Sequence, residues 1–170
     1  MMNVSTNELQ TLVVKACRGI GLPIAQAQEA AAAIAVSPQA ITDFLESLDT
    51  PMRKASFVFT AGLEVKNAHI LRDFPICADA AQQNVELVII RDFRICELIL
   101  ALARYRGVSV KARSNDLLLS KDVKYEKLPE RCDLDIKDWM VLNKYAALTY
   151  VPETDQSRLE GAGAGLNDND

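Results

Sequence analysis

The chain carries one histidine, His69, and acid–base chemistry would have to begin there. An unperturbed imidazole titrates near pH ~6.5 and serves as acid or base around neutrality. His69 follows Asn67-Ala68 and precedes Ile70-Leu71, at the end of an expected strand, where a lone histidine is ordinarily structural or solvated. The partners available to it as a catalytic group are Ser157, Arg158 and Asp168, all near the C-terminus. Catalysis of a small molecule would require segment 157–170 to close over a cleft holding His69.

The other reactive residues point elsewhere. Cys17, Cys77, Cys96 and Cys132 are scattered, with no CxxC pair and no histidine nearby in sequence. A zinc site would need all of them to converge from distant elements. Buried, reduced thiols are the simpler reading, and the apolar neighbours of Cys77 and Cys96 within expected helices favour packing over a reactive thiolate. Gly161, Gly163 and Gly165, spaced by alanine, invite comparison with phosphate loops. A Walker loop needs a lysine and a hydroxyl after its last glycine, and a dinucleotide loop needs a strand before and a helix after. An expected helix precedes this run, and Leu166 to Asp170 follow it. An extended tail whose glycines let backbone press on another surface, with Leu166 as apolar anchor, fits better. Asn167, Asp168, Asn169 and Asp170 with Glu160 offer oxygens to a hard cation, but not at EF-hand spacing, so a solvated acidic end and no metal site are expected. Arg91, Arg94, Arg104, Arg106, Lys111 and Arg113 alternate with acids such as Asp92 and Glu97, which reads as a charged, solvated face.

Composition narrows the function classes. With 170 residues, 49% hydrophobic and 25% charged, the chain can bury an ordinary core, and residues 1–156 are expected to form one domain with 157–170 as its tail. A net charge of −4 argues against nucleic-acid or anionic-membrane partners, which need a basic face. No apolar run approaches the roughly 20 residues of a membrane span. The start, MMNVSTNELQ, lacks the charged and apolar regions of a signal peptide, which predicts a cytoplasmic address.

The elements that must position these residues follow from periodicity. Ser5 and Glu8 make a capping box for a helix over 5–18, with Leu9, Leu12, Val13 and Ala16 on one stripe and Gly19 as a left-handed stop. Pro23 opens an alanine-rich helix over 23–36, whose small side chains permit close packing inside the domain or at a dimer face. Ser37-Pro38 starts a third helix that buries Ile41, Phe44, Leu45 and Leu48. Residues 55–60 and 63–68 read as a hairpin, and Asp73 and Pro75 mark a helix to about Asn84. Residues 85–90, 92–105 and 108–113 read as strand, helix and strand, a βαβ unit with parallel strands and with Ile95, Leu98, Ile99 and Leu102 buried. Residues 117–120 and 123–127 form a possible hairpin, and Asp135 caps a last helix to about Tyr150 with Trp139, Leu142, Ala146 and Thr149 on its periodic face. The fold class expected is α+β: an N-terminal helical layer packed with a mixed β-sheet containing one βαβ crossover.

Two stretches, NELQTLVVKACRGIGLPIAQAQEAAAAIA near the start and DWMVLNKYAALTYVPETDQSRLEGAGAGLNDND at the end, together resemble a bacterial domain-of-unknown-function family. Its members are similar in a "NEL…KA.RG.GLP…A.EA" helix and in a C-terminal GAGAGL(T/N)DND tail. The tail resemblance rests on Thr149 to Pro152, Ser157 and Gly161 to Asp170, and it implies that the tail is a family hallmark. It carries over no activity. The start is also similar to the N-terminal helices of type-2 malate/lactate dehydrogenases; the rest of such an enzyme is not seen, and no nicotinamide cofactor is carried over.

The residues name no cofactor and set out two functions. One is a non-catalytic binding or assembly protein, a homo-oligomer whose tail docks on itself or on a neighbouring subunit through Gly161, Gly163, Gly165 and Leu166. The other is a small-molecule enzyme or ligand-binding protein whose tail closes a pocket over His69, Ser157, Arg158 and Asp168.

Overall fold

The structure, a computed structural model, describes residues 1–122 and 129–149. The expected strand over 123–127 and the tail, including Ser157, Arg158, Gly161, Gly163, Gly165, Leu166 and Asp168, lie outside the described residues.

The chain runs β1 (Met2–Ser5), α1 (Thr6–Gly19), α2 (Ile24–Val36), a 3-10 turn (Pro38–Ala40), α3 (Ile41–Leu48), β2 (Ser56–Phe59), β3 (Leu63–Lys66), α4 (Ile70–Gln82), β4 (Val88–Ile90), α5 (Glu97–Arg106), β5 (Val108–Arg113), β6 (Asp116–Lys121), β7 (Arg131–Leu134) and α6 (Ile136–Ala147). The fold is α+β, with a helical N-terminal layer on a mixed sheet.

The capping box forms as its spacing predicts: the Ser5 hydroxyl accepts from the Glu8 N–H at 3.2 Å, and the Glu8 carboxylate accepts from the Ser5 N–H at 2.9 Å. Gly19 does not supply the left-handed stop. It is the last residue of α1, and Gly21, at φ +84°, makes the turn. Gly19 serves close approach instead, because a Cβ there would overlap the Tyr145 carbonyl of α6. Ala27, Ala30, Ala31, Ala33 and Ala35 of α2 are all buried within the chain, where α2 packs against α1, α4 and α5. Those small side chains allow the helices to approach closely.

Two sheets form. β1 and β7 pair antiparallel, a pairing the sequence reading missed, and the larger sheet has the order β2-β3-β4-β6-β5. Its register builds apolar rows on one face: Phe59, Leu63, Val88, Leu119 and Val110 lie opposite one another, as do Phe57, Val65, Ile90, Leu117 and Ala112. Leu63, Val65, Val88, Ile90, Leu117 and Leu119 of these rows are buried. Side chains alternate across a strand, so that face meets the helices and the intervening positions face outward.

The crossover differs in detail from expectation. β3-α4-β4 joins adjacent parallel strands. The expected unit, β4-α5-β5, also joins strands that point the same way, but β6 lies between them and is antiparallel to both. The cause is the Ser114-Asn115 turn, with Ser114 at φ +55°, which sends the chain straight back so that Leu117 and Leu119 fill the sheet centre. The described hairpin joins β5 and β6. α5 begins at Glu97, later than expected, which leaves Ile95 39% exposed and puts Cys96 at the helix cap. α4 begins at Ile70, before Asp73 and Pro75, because a cap forms at His69.

Candidate functional site

Segments 91–96 and α3, with the first turns of α4 and α5, enclose a cleft of about 200 Å³. Its α3 wall is a polar stripe, Asp43, Glu46 and Ser47, at the i, i+3 and i+4 spacing that shares one helical face, continued by Thr50 just past the helix end. Phe44 and Leu48 turn into the core. Segment 91–96 brings Phe93, Arg94 and Cys96 to the lining.

His69 lines the cleft and is 1% exposed. Its backbone is fixed at both ends. The His69 N–H donates to the Asp73 Oδ2 at 2.7 Å, and its carbonyl accepts from the Arg72 and Asp73 N–H groups. Asp73, 2% exposed, also accepts from the Nε and Nη2 of Arg72 at 2.8 Å, and Arg72 donates onward to the Arg53 carbonyl at 2.7 Å. A buried carboxylate is stable when donors surround it, as here. The imidazole is less well served: among the described residues neither Nδ1 nor Nε2 makes a well-formed hydrogen bond. Burial pushes its pKa below the usual histidine value, against the nearby Ser47 and Thr50 carbonyls, which favour the protonated ring. His69 is therefore a neutral imidazole near pH 7, one nitrogen a donor and the other an acceptor. Of the structural or solvated roles expected for it, His69 takes the structural one, at the N-cap position of α4 rather than at a strand end.

No family model, curated protein or solved structure matches this chain. The site is thus read from its own chemistry.

Asp43 is spoken for structurally. Its Oδ2 accepts from the Leu98 N–H at 3.2 Å, so α3 supplies the carboxylate that caps the first turn of α5 and meets its positive end. Cys96 is half-buried, and burial, with further help from Asp43, raises its thiol pKa. Burial pushes Cys17 and Cys77 up to about 12. These are poor nucleophiles, as expected of packed thiols. Glu46 and Arg94, both exposed on the cleft, pair neither with each other nor with any other charged group among the described residues.

The remaining arginines do not converge into one anion site. Arg91 bridges Glu64 at 2.9 Å and Asp116 at 2.6 Å, tying β3 to the β6 start. Arg106 meets Glu29 and Asp79, and Arg104 donates to Ser37 at 3.2 Å. Larger hollows flank α1, one of about 520 Å³, but they are shallow grooves into which no unpartnered buried polar group of the described residues points. Among the described residues no cluster of histidine, cysteine, aspartate or glutamate is arranged to hold a metal ion, and no helix is long and apolar enough to cross a membrane.

Of the candidates drawn from the sequence, the cleft contains His69. Asp43, Glu46 and Phe93 were missed as site residues, and Arg94 and Cys96 were read as surface charge and core thiol. The α3 stripe was legible at helical spacing. The 91–96 wall was not, because it read as helix.

Proposed function

We propose that this chain is a small-molecule-binding protein whose recognition site is the His69 cleft. The observation that carries the reading is the buried imidazole lining a cavity, its two nitrogens beside the Ser47 and Thr50 carbonyls but without a well-formed hydrogen bond among the described residues. A buried polar group without a partner costs roughly 1–3 kcal/mol. A ligand that brings one acceptor and one donor recovers that energy and is oriented by it. The volume lies below the roughly 300–1,000 Å³ of pockets for drug-sized ligands, which favours a compact metabolite over a nucleotide. The raised thiol pKa values and the neutral, capped histidine favour binding over covalent catalysis.

The test uses the fact that the chain has one histidine, so its ring gives one set of NMR signals. Titration with a panel of small polar fragments should move those signals saturably for some members. A panel that leaves the ring signals unmoved, while binding elsewhere is detected or absent, refutes the reading.

An assembly role has its own support. Ile136 and Met140 of α6, and Leu148 just beyond its end, are 57%, 67% and 62% exposed. Exposed apolar rows mark interaction faces. On this reading the face receives residues 157–170 of the same or a neighbouring chain, with Leu166 as anchor. Truncation after Glu160 should then lower the melting temperature or the mass in solution, and no change in either would refute it.

A further inference from the structure

We propose that the ligand of the His69 cleft is a small zwitterion of the α-amino-acid class, bound by its ammonium at Glu46 and by its carboxylate at Arg94. The inference rests on the small-molecule reading above and narrows it. Once Asp43 is assigned to capping α5, the cleft presents a carboxylate and a guanidinium with no ion-pair partner among the described residues, and a neutral imidazole. Glu46 on α3 and Arg94 in the 91–96 segment both line the cleft and form no ion pair with each other. A molecule carrying both charges satisfies both.

Molecules of a single charge fit less well. A phosphate or dicarboxylate would gain Arg94 but face the carboxylates of Asp43 and Glu46. A diamine would gain Glu46 but face Arg94. The guanidinium fork suits a planar carboxylate, to which it binds in two-point fashion. Ile70 and Phe93 also line the cleft and present apolar surface to a side chain. The volume of about 200 Å³ restricts that side chain to a small or medium aliphatic one. The His69 ring lies deeper than the exposed charges and supplies the neutral contact that fixes the ligand's orientation.

The experiment is calorimetric titration of the full chain with alanine, valine and leucine as free amino acids, each beside its amide, which lacks the carboxylate, and its N-acetyl form, which lacks the ammonium. The free amino acid should bind, and each blocked form should bind about fivefold or more weakly, the size expected of a partly exposed charge contact. Arg94→Gln should erase the preference over the amide, and Glu46→Gln the preference over the N-acetyl form. Both residues are exposed, so the variants should keep the wild-type melting temperature and helix content. A blocked form that binds as tightly as the free amino acid overturns the proposal. So does a fragment panel in which only singly charged or neutral molecules move the His69 signals; that outcome leaves the small-molecule reading standing. A His69 ring that no compound moves removes both.

Discussion

Replacing Asp73 by asparagine tests whether the carboxylate under α4 organises the cleft. Asn keeps the shape of Asp but exchanges one acceptor oxygen for an NH₂ donor. Asp73 receives the His69 N–H at 2.7 Å on Oδ2, the Arg72 Nε at 2.8 Å on Oδ1 and the Arg72 Nη2 at 2.8 Å on Oδ2. All these partners are donors, so whichever way the amide turns, its NH₂ faces a donor and one oxygen is left to serve the rest. The loss comprises a charge-assisted fork and a donor set against a donor at a site 2% exposed. Breaking a buried pair by altering one partner costs about 3–5 kcal/mol. Arg72 keeps some contact with solvent, which places the expected loss near the lower end, about 3 kcal/mol. For a chain of this size that is a fall of about 6–12 °C in melting temperature. Urea unfolding followed by circular dichroism gives the free energy, and the His69 ring signals should move at the same time because the cap that orients the ring has changed. Arg72→Gln should cost less, and the double variant should lose less than the sum of the two, since the residues share one interaction. A fall of under about 1 kcal/mol for Asp73→Asn, or a loss for the double variant equal to the sum, would refute the account of this cap.

Gly19→Ala should destabilise by about 1–2 kcal/mol, because overpacking against the Tyr145 carbonyl outweighs the better helix propensity of alanine, and a variant as stable as the parent in thermal unfolding would contradict the packing described. The His69 pKa is lowered by burial, so its contribution to stability is complete above the unfolded value of about 6.5 and is lost as pH falls below that toward the folded value. Stability measured from pH 7.5 to 5 should therefore fall more steeply in the parent than in His69→Gln; equal slopes would show that the imidazole is not buried neutral. Alkylation of the native chain followed by mass spectrometry should modify Cys96 first, with Cys17 and Cys77 reacting only on unfolding, since both are buried with thiols held at about 12. Modification of Cys17 or Cys77 at the rate of Cys96 would contradict their burial.

Local chemistry was the legible part of the fold. The Ser5–Glu8 box, the Asp135 cap and the stripe of Leu9, Leu12, Val13 and Ala16 depend on neighbours within one turn, and the structure has them all. The misread features depend on distant partners. Gly19 looks like a stop by sequence, but its role is set by Tyr145 across the α1–α6 contact. The start of α4 was misplaced because proline is a strong first-turn signal, whereas here the Asp73 carboxylate fixes the cap and Pro75 sits inside the helix. β6 enters between β4 and β5 because its Leu117 and Leu119 complete the apolar rows, a preference that the order of strands along the chain does not reveal. The same division holds at the site. His69 was conspicuous by type, and Asp43, Glu46, Ser47 and Thr50 share a readable spacing. Their meeting with Phe93, Arg94 and Cys96 depends on α3 packing against α5, which no local pattern encodes.

A crystal structure grown or soaked with free valine would test the central claim most directly. The account predicts the molecule in the cleft between α3 and segment 91–96, with a polar atom at hydrogen-bond distance from an imidazole nitrogen of His69. Well-ordered valine bound only outside that cleft, or a cleft closed by its own side chains around a fully hydrogen-bonded His69, would contradict it.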